Sequence, residues 1–402
     1  MGIFDIIILL LIPYLVKIAI PYFSRIAEVK NTRWLYYLWY YHVFFGVIFM
    51  LYVQVFGGDA LGYWRVKEVS LNEYLELGQG TAFMHAFNYV FVNVLKLSFF
   101  TGSMIYTFIG FLGVMFFYLS TTNLVKTNVK VYGYNVFPYI FFLPNLHFWS
   151  SGVGKDTLVF FCVGLFLFSV MSPLRRSLGI AIALILSYNI RPHITIFLLA
   201  SFGIGFLFDN KLKPLQKLFL SLCMISVAAF IFDDVMRYLK LEDVSTESVE
   251  QFSDKRVYNL SRGHTGSSVD ISSYPLPLKV FTFLFRPLFF DIHNVMGVFA
   301  SVENLIMLIL FIKILNAKTL KLLKQAPYQI KGLFFFFLIG SIAFSTSLGN
   351  LGIMMRQKNM LVPGMLIFMF WVLSVRKEIF QSRLLSKMIH DQHSVQPSQK
   401  LN

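Results

Sequence analysis

Five short stretches of this 402-residue chain collect residue types that handle anions and protons. GGDALGYW (57–64) holds Asp59 and Tyr63, four apart and so on one face of a helix. LHFWSSGVGKD (146–156) holds His147, Lys155 and Asp156, and IRPH (190–193) holds Arg191 and His193. FRPLFFDIHN (285–294) holds Arg286, Asp291 and His293, and GNLGIMMRQK (349–358) holds Arg356. Arginine grips phosphate oxygens with two parallel hydrogen bonds, and lysine meets them as a point charge. Pro192 can open a helix whose first amides favour an anion, and Gly152-Val153-Gly154 offers the same arrangement. A carboxylate beside such cations can take a proton from a sugar hydroxyl. The expectation is therefore a centre in which Lys155, Arg191, Arg286, Arg356 and His147 surround Asp59, the candidate base. Tyr63, Asp156, His193, Asp291 and His293 complete the substrate-binding set, and a sugar on a lipid-linked pyrophosphate would satisfy every part.

Each residue also has a plainer reading. An arginine at the end of an apolar run anchors it at the headgroups, and Tyr63, Trp64 and Trp149 fit an interfacial aromatic belt. Asp59 can cap a helix, and Lys155–Asp156 can be a solvated turn. Arg286 lies in a very apolar stretch, where an unpaired charge costs a few kcal/mol, so Asp291 is its expected partner. Glu303 is expected to be a buried partner or cavity residue, and His85 to lie on the polar face of its helix. Gly154-Lys155-Asp156 fails as a phosphate loop because Asp156 replaces the required Ser/Thr. No HExxH or GxSxG occurs. Nothing requires a cofactor, although the acids leave room for a divalent metal.

The elements that must position these motifs are membrane spans. Hydrophobic types make up 57% of the chain and charged types 14%, well below the roughly 25% of a soluble domain. Eleven apolar runs are candidates: 3–22, 34–56, 99–121, 134–150, 154–172, 177–190, 192–208, 216–233, 294–316, 331–347 and 359–375. With the N-terminus outside, the segments 23–33, 122–133, 173–177, 209–217, 313–328 and the tail from 376 fall inside and carry 19 Lys/Arg against four acids. The net charge of +15 is thus topology, and no nucleic-acid partner is needed. Residues 276–292 are read as re-entrant or interfacial on the outer side, since a further span would reverse Lys313 to Lys324. Residues 83–94 form an outer amphipathic helix, with Phe83, Phe87, Val90, Phe91 and Val94 opposite His85, Asn88, Asn93 and Lys96. The stretch 261–268 is expected to be mobile and the tail 388–402 disordered. Cys162 and Cys223 lie in apolar runs and carry no metal or redox signal. The fold class is an all-α polytopic membrane protein, one domain over 1–375 with outer loops 57–98 and 234–293 and a cytoplasmic tail.

GGDALGYW in the first outer loop, followed by an interfacial helix, resembles the GT-C superfamily of polytopic glycosyltransferases. FWSSGVGKD, IRPH, FLFRPLFFDIHN and GNLGIMMRQK, in that order and on one face, look like the EpsG-like and Wzy-type polysaccharide polymerases of bacterial inner membranes. The resemblance runs from about residue 57 to 375. It implies a periplasmic-face transferase that uses polyprenyl-pyrophosphate-linked sugars beside other polysaccharide-assembly proteins. The first loop lacks the paired acids of many GT-C enzymes, and there is no large outer loop like that of O-antigen ligases. A flippase for the same glycans, or an O-acyltransferase using His147 or His193, are the alternatives.

Overall fold

The computed structural model describes residues 2–67, 70–209, 213–239, 257, 268–271, 273–292 and 295–394. Its helices in chain order are α1 (Ile3–Ile26), α2 (Arg33–Phe56), α3 (Asp59–Trp64), α4 (Leu71–Glu76), α5 (Thr81–Tyr89), α6 (Phe99–Leu124), α7 (Pro144–Trp149), α8 (Lys155–Val170) and α9 (Ser177–Ile190). There follow α10 (Pro192–Leu207), α11 (Pro214–Leu239), α12 (Leu276–Phe285), α13 (Val295–Ile314), α14 (Ala317–Gln325), α15 (Tyr328–Ser347), α16 (Leu351–Lys358) and α17 (Val362–Ser394). One two-stranded hairpin, β1 (Lys130–Val131) and β2 (Tyr134–Asn135), interrupts them. Six helices among the described residues, α1, α2, α6, α11, α13 and α15, are long and apolar enough to cross a bilayer. The bent pair α16–α17, with 63° between its halves, makes at most a seventh. The eleven expected spans are not reproduced by that measure.

Side-chain contacts nevertheless sort the loops by end. Arg176 Nη2 donates to Ile26 O at 2.9 Å, and Tyr328 binds both Val170 O and the Asp209 carboxylate. Lys377 reaches Asn128 O, and Arg376 reaches Lys313 O. All six segments assigned to one side by charge thus meet at one end, the far end. At the opposite end Asp5 accepts from the amide and hydroxyl of Ser98, both at 2.9 Å, joining the starts of α1 and α6. Helices α8, α9 and α10, with 16, 14 and 16 residues, run between these two ends although each is shorter than the roughly 20 residues of a free span. Protein surrounds much of α8, so its ends need not reach lipid headgroups.

Residues 134–150 differ most from expectation. They cross the bundle, but not as one helix. Tyr132 and Gly133 both have positive φ, 50° and 85°, the backbone of a two-residue hairpin turn. The hairpin is followed by a 3-10 turn (Tyr139–Phe141) and the six-residue α7. Helix α7 begins inside the protein, where its first amides cannot reach water. Glu303 of α13 supplies the cap: its carboxylate accepts from Asn145 N at 2.7 Å and Asn145 Nδ2 at 3.1 Å. Gly110 of α6 clears the way for this crossing, because a Cβ there would stand 1.7 Å from Ser150 O.

Two other segments bear on the site. Helix α12 has ten residues, too few to span, and ends in the tight loop 286–292. Helix α5 continues as a π-helix (Val90–Val94). Its Asn88 is fully buried rather than on a polar surface, donating to Tyr63 O at 2.9 Å and accepting from Tyr106 Oη at 2.9 Å. Helix α17 continues to Ser394, so 388–394 is helical where disorder was expected. Of 261–268, only Ser268 is described, and it pairs with Asn350.

Candidate functional site

The polar centre lies where α2 gives way to α3. Gly57 and Gly58 have φ of 74° and 140°, conformations that side chains resist, and they swing the chain so that α3 starts at Asp59. The Asp59 side chain is 58% exposed and accepts from Arg356 Nη1 at 2.8 Å. Arg356 comes from α16, whose first turn is capped by the Asn350 side chain at Gly352 N and Ile353 N. Its Nε donates to Asp156, whose other oxygen takes Arg191 Nη2 at 2.6 Å. Arg191 Nη1 continues to Gln357 Oε1 at 2.8 Å. Asp156 is 8% exposed at its side chain, and two guanidinium groups compensate its burial. The order Asp59–Arg356–Asp156–Arg191 is a chain of alternating charge.

A cavity of about 190 Å³ opens beside this chain. Gly57, Gly58, Gly152 and Gly154 bring bare backbone to it, Phe49, Tyr52 and Trp149 form an aromatic wall, and Asp59, Asp156 and Arg356 supply the charge. Tyr63 lies buried behind Asp59, against Gly154. Burial first, then the Asp59 carboxylate, pushes its hydroxyl up to about 12, so it stays a hydrogen-bond donor at neutral pH. Lys155 does not approach Asp59. Its Nζ donates to Thr81 Oγ1 at 3.0 Å and stands 5.7 Å from the centre of the Tyr63 ring. Among the described residues it makes no ion pair, which leaves it the surplus cation of the centre.

The ring of five cations around Asp59 is therefore not formed. Of the five expected cations, Arg356 alone touches Asp59; Arg191 and Arg356 both serve Asp156. Arg286 lies elsewhere, with Nε and Nη2 on Asp291 at 3.0 and 2.5 Å, the partnership its apolar surroundings required. His147 is buried in the core, not at the centre: its Nδ1 meets His42 Nδ1 at 2.8 Å and its Nε2 meets Phe141 O at 2.6 Å. A carbonyl only accepts, so His147 carries its proton on Nε2, and its bare Nδ1 accepts a hydrogen bond from His42 Nδ1–H. His193 packs among Phe197, Tyr238 and Phe344. His293 lies outside the described residues. No group of three or more His, Cys, Asp or Glu among the described residues is placed to hold a metal.

Lys358 is the residue that motif reading passed over. Two positions beyond Arg356, it leaves the far side of α16 and is 5% exposed. Its ammonium donates to Leu284 O, Arg286 O and Asn304 Oδ1 at 3.1, 3.2 and 2.7 Å, which satisfies all three protons. It closes the C-terminal end of α12 while Arg356 faces the cavity. The two-residue offset, roughly 200° around a helix, was the available signal. Comparison with family models, curated proteins and solved structures finds no match for the chain.

Proposed function

We propose that the chain is a membrane glycosyltransferase that acts on polyprenyl-pyrophosphate-linked sugars or oligosaccharides and polymerises a surface polysaccharide repeat unit. The observation that carries the proposal is the exposed Asp59 carboxylate, held on one oxygen by Arg356 at the mouth of the glycine- and aromatic-lined cavity. One face of that carboxylate stays open to an incoming hydroxyl. In this reading Asp59 takes the proton of an attacking sugar hydroxyl as the new bond forms at the anomeric carbon. The anomeric C–O bond to phosphate breaks, and its electron pair leaves on the polyprenyl pyrophosphate. Arg356, which lines the cavity, faces the charge that develops there. Tyr63 backs Asp59 from behind, and Asp156 with Arg191 fixes Arg356. The bond energy resides in the donor, so no nucleotide is consumed. The acting face would be the periplasmic side of a bacterial inner membrane.

A flippase for the same glycans is the second reading. The discontinuous crossing at 134–150 and the bend between α16 and α17 favour it, since transporters build their sites on broken helices. The deciding experiment uses the purified chain in proteoliposomes with a labelled lipid-linked oligosaccharide. Longer glycans on the lipid support the transferase. Transfer of unaltered lipid between leaflets, with no longer product, supports the flippase and ends the transferase reading.

A further inference from the structure

We infer that the far end of the bundle is a docking surface for anionic lipid headgroups, formed by α14 and the β1–β2 hairpin. The inference is independent of the chemistry at the opposite end. Helix α14 joins α13 to α15, two helices that each meet the requirements for crossing a bilayer. A nine-residue helix between two such ends on one side lies along the bilayer surface.

Its faces suit that position. Leu322 is buried against the bundle, while Lys318, Leu320, Lys321 and Lys324 are exposed. An exposed leucine between exposed lysines is ill placed in water but well placed at the level where acyl chains meet headgroups. The helix is also held firmly. Arg376 donates to Lys313 O, Ile314 O, Asn316 Oδ1 and Thr319 Oγ1 at 2.8, 3.0, 2.7 and 2.5 Å, and Asn316 caps the first turn.

The hairpin continues the same surface. Lys313 Nζ stands 4.6 Å from the Tyr132 ring centre, and Tyr132 and Tyr134 are 75% and 79% exposed. Lys130 is exposed beside them. Tyrosines at this height form the aromatic belt of a membrane protein. No Asp or Glu occurs in 122–133 or 313–328, so Lys130, Lys313, Lys318 and Lys321 have no acid within their own segments. Charge complementarity selects an acidic headgroup over a zwitterionic one, each lysine near the surface adding to the attraction.

The test places the full chain in nanodiscs of phosphatidylcholine, with or without phosphatidylglycerol, and follows hydrogen exchange at residues 317–325 and 130–135. Phosphatidylglycerol should slow exchange in both segments, and added salt should reverse the effect. Lys318→Gln with Lys321→Gln should abolish the slowing and weaken phosphatidylglycerol retention in native mass spectrometry roughly thirtyfold. Both lysines are exposed, so exchange within α15 should stay as in the parent and report an intact fold. Equal protection in the two lipids, or unchanged retention in the double variant, would overturn the inference.

Discussion

Arg356 and Asp156, 200 positions apart in the chain, are joined through the arginine Nε, and this contact sets which side of α16 faces the cavity. Asp156 gives its second oxygen to Arg191, so it pairs with both the buried Arg191 and the partly exposed Arg356. Asp156→Ala leaves the buried Arg191 uncompensated and takes one of Arg356's two carboxylates, and should destabilise the protein by about 3–5 kcal/mol. Thermal unfolding in detergent measures it. A loss like that of a surface substitution would show that water or lipid headgroups replace the carboxylate.

Asp59→Asn tests the opposite case. The pair it breaks is largely exposed, so stability should change by no more than ~1 kcal/mol. Chain extension should fall by ~10²–10⁴-fold, the usual contribution of a general base, while donor binding persists. Normal extension would remove Asp59 from catalysis.

Asn88 ties α5 to the α3 carbonyl of Tyr63 and to the Tyr106 hydroxyl in α6. Asn88→Leu strands those two buried groups and should cost ~1–3 kcal/mol each. Faster hydrogen exchange over 59–64 should accompany the lost stability. Destabilisation with unchanged exchange there would mean that Asn88 does not steady α3.

Acid should act through His85. Burial, then Lys155 and Lys67, pushes its imidazole below the usual 6.5. Below that value the unfolded chain binds a proton that the folded chain resists, so this contribution to stability is lost as pH falls from 6.5 toward the folded value. Comparing unfolding of the parent and His85→Gln across that range should show a shallower acid slope in the variant. Identical slopes would discard His85 as the titrating group.

Two glycines should respond with opposite sign. Gly62 lies within α3 with nothing within 4 Å of a Cβ, and Gly62→Ala should stabilise by up to about 1 kcal/mol. Gly110→Ala would drive a methyl into the Ser150 carbonyl and should destabilise by ~1–3 kcal/mol or more. Midpoints of thermal unfolding check both.

Much of this arrangement is legible along the chain. Charge counting grouped six loops that do meet at one end, because lysine and arginine positions are set by membrane insertion and need no knowledge of packing. Arg286 and Asp291 were readable as partners because they are five residues apart in apolar surroundings. The choice of Asp156 over Asp59 as the buried anion was not readable. It depends on α8, α10 and α16 meeting, and its contacts join positions 35 and 200 residues apart. The discontinuity at 134–150 had local marks, Gly133 and the prolines 138 and 144, which apolar content outweighed. Its cap, Glu303, came from a helix 158 residues away.

The alternating chain from Asp59 to Arg191 also constrains how the sequence can drift. Positions 156 and 191 share one electrical account: Arg191 is buried with Asp156 as its carboxylate, whereas Arg356 also reaches Asp59, so a neutral residue at 156 is tolerable only if position 191 loses its charge as well. Asp59, at the wet end, is under no such obligation to the fold. Descendants of this chain should therefore keep or abandon 156 and 191 together, while position 59 changes only when the chemistry does.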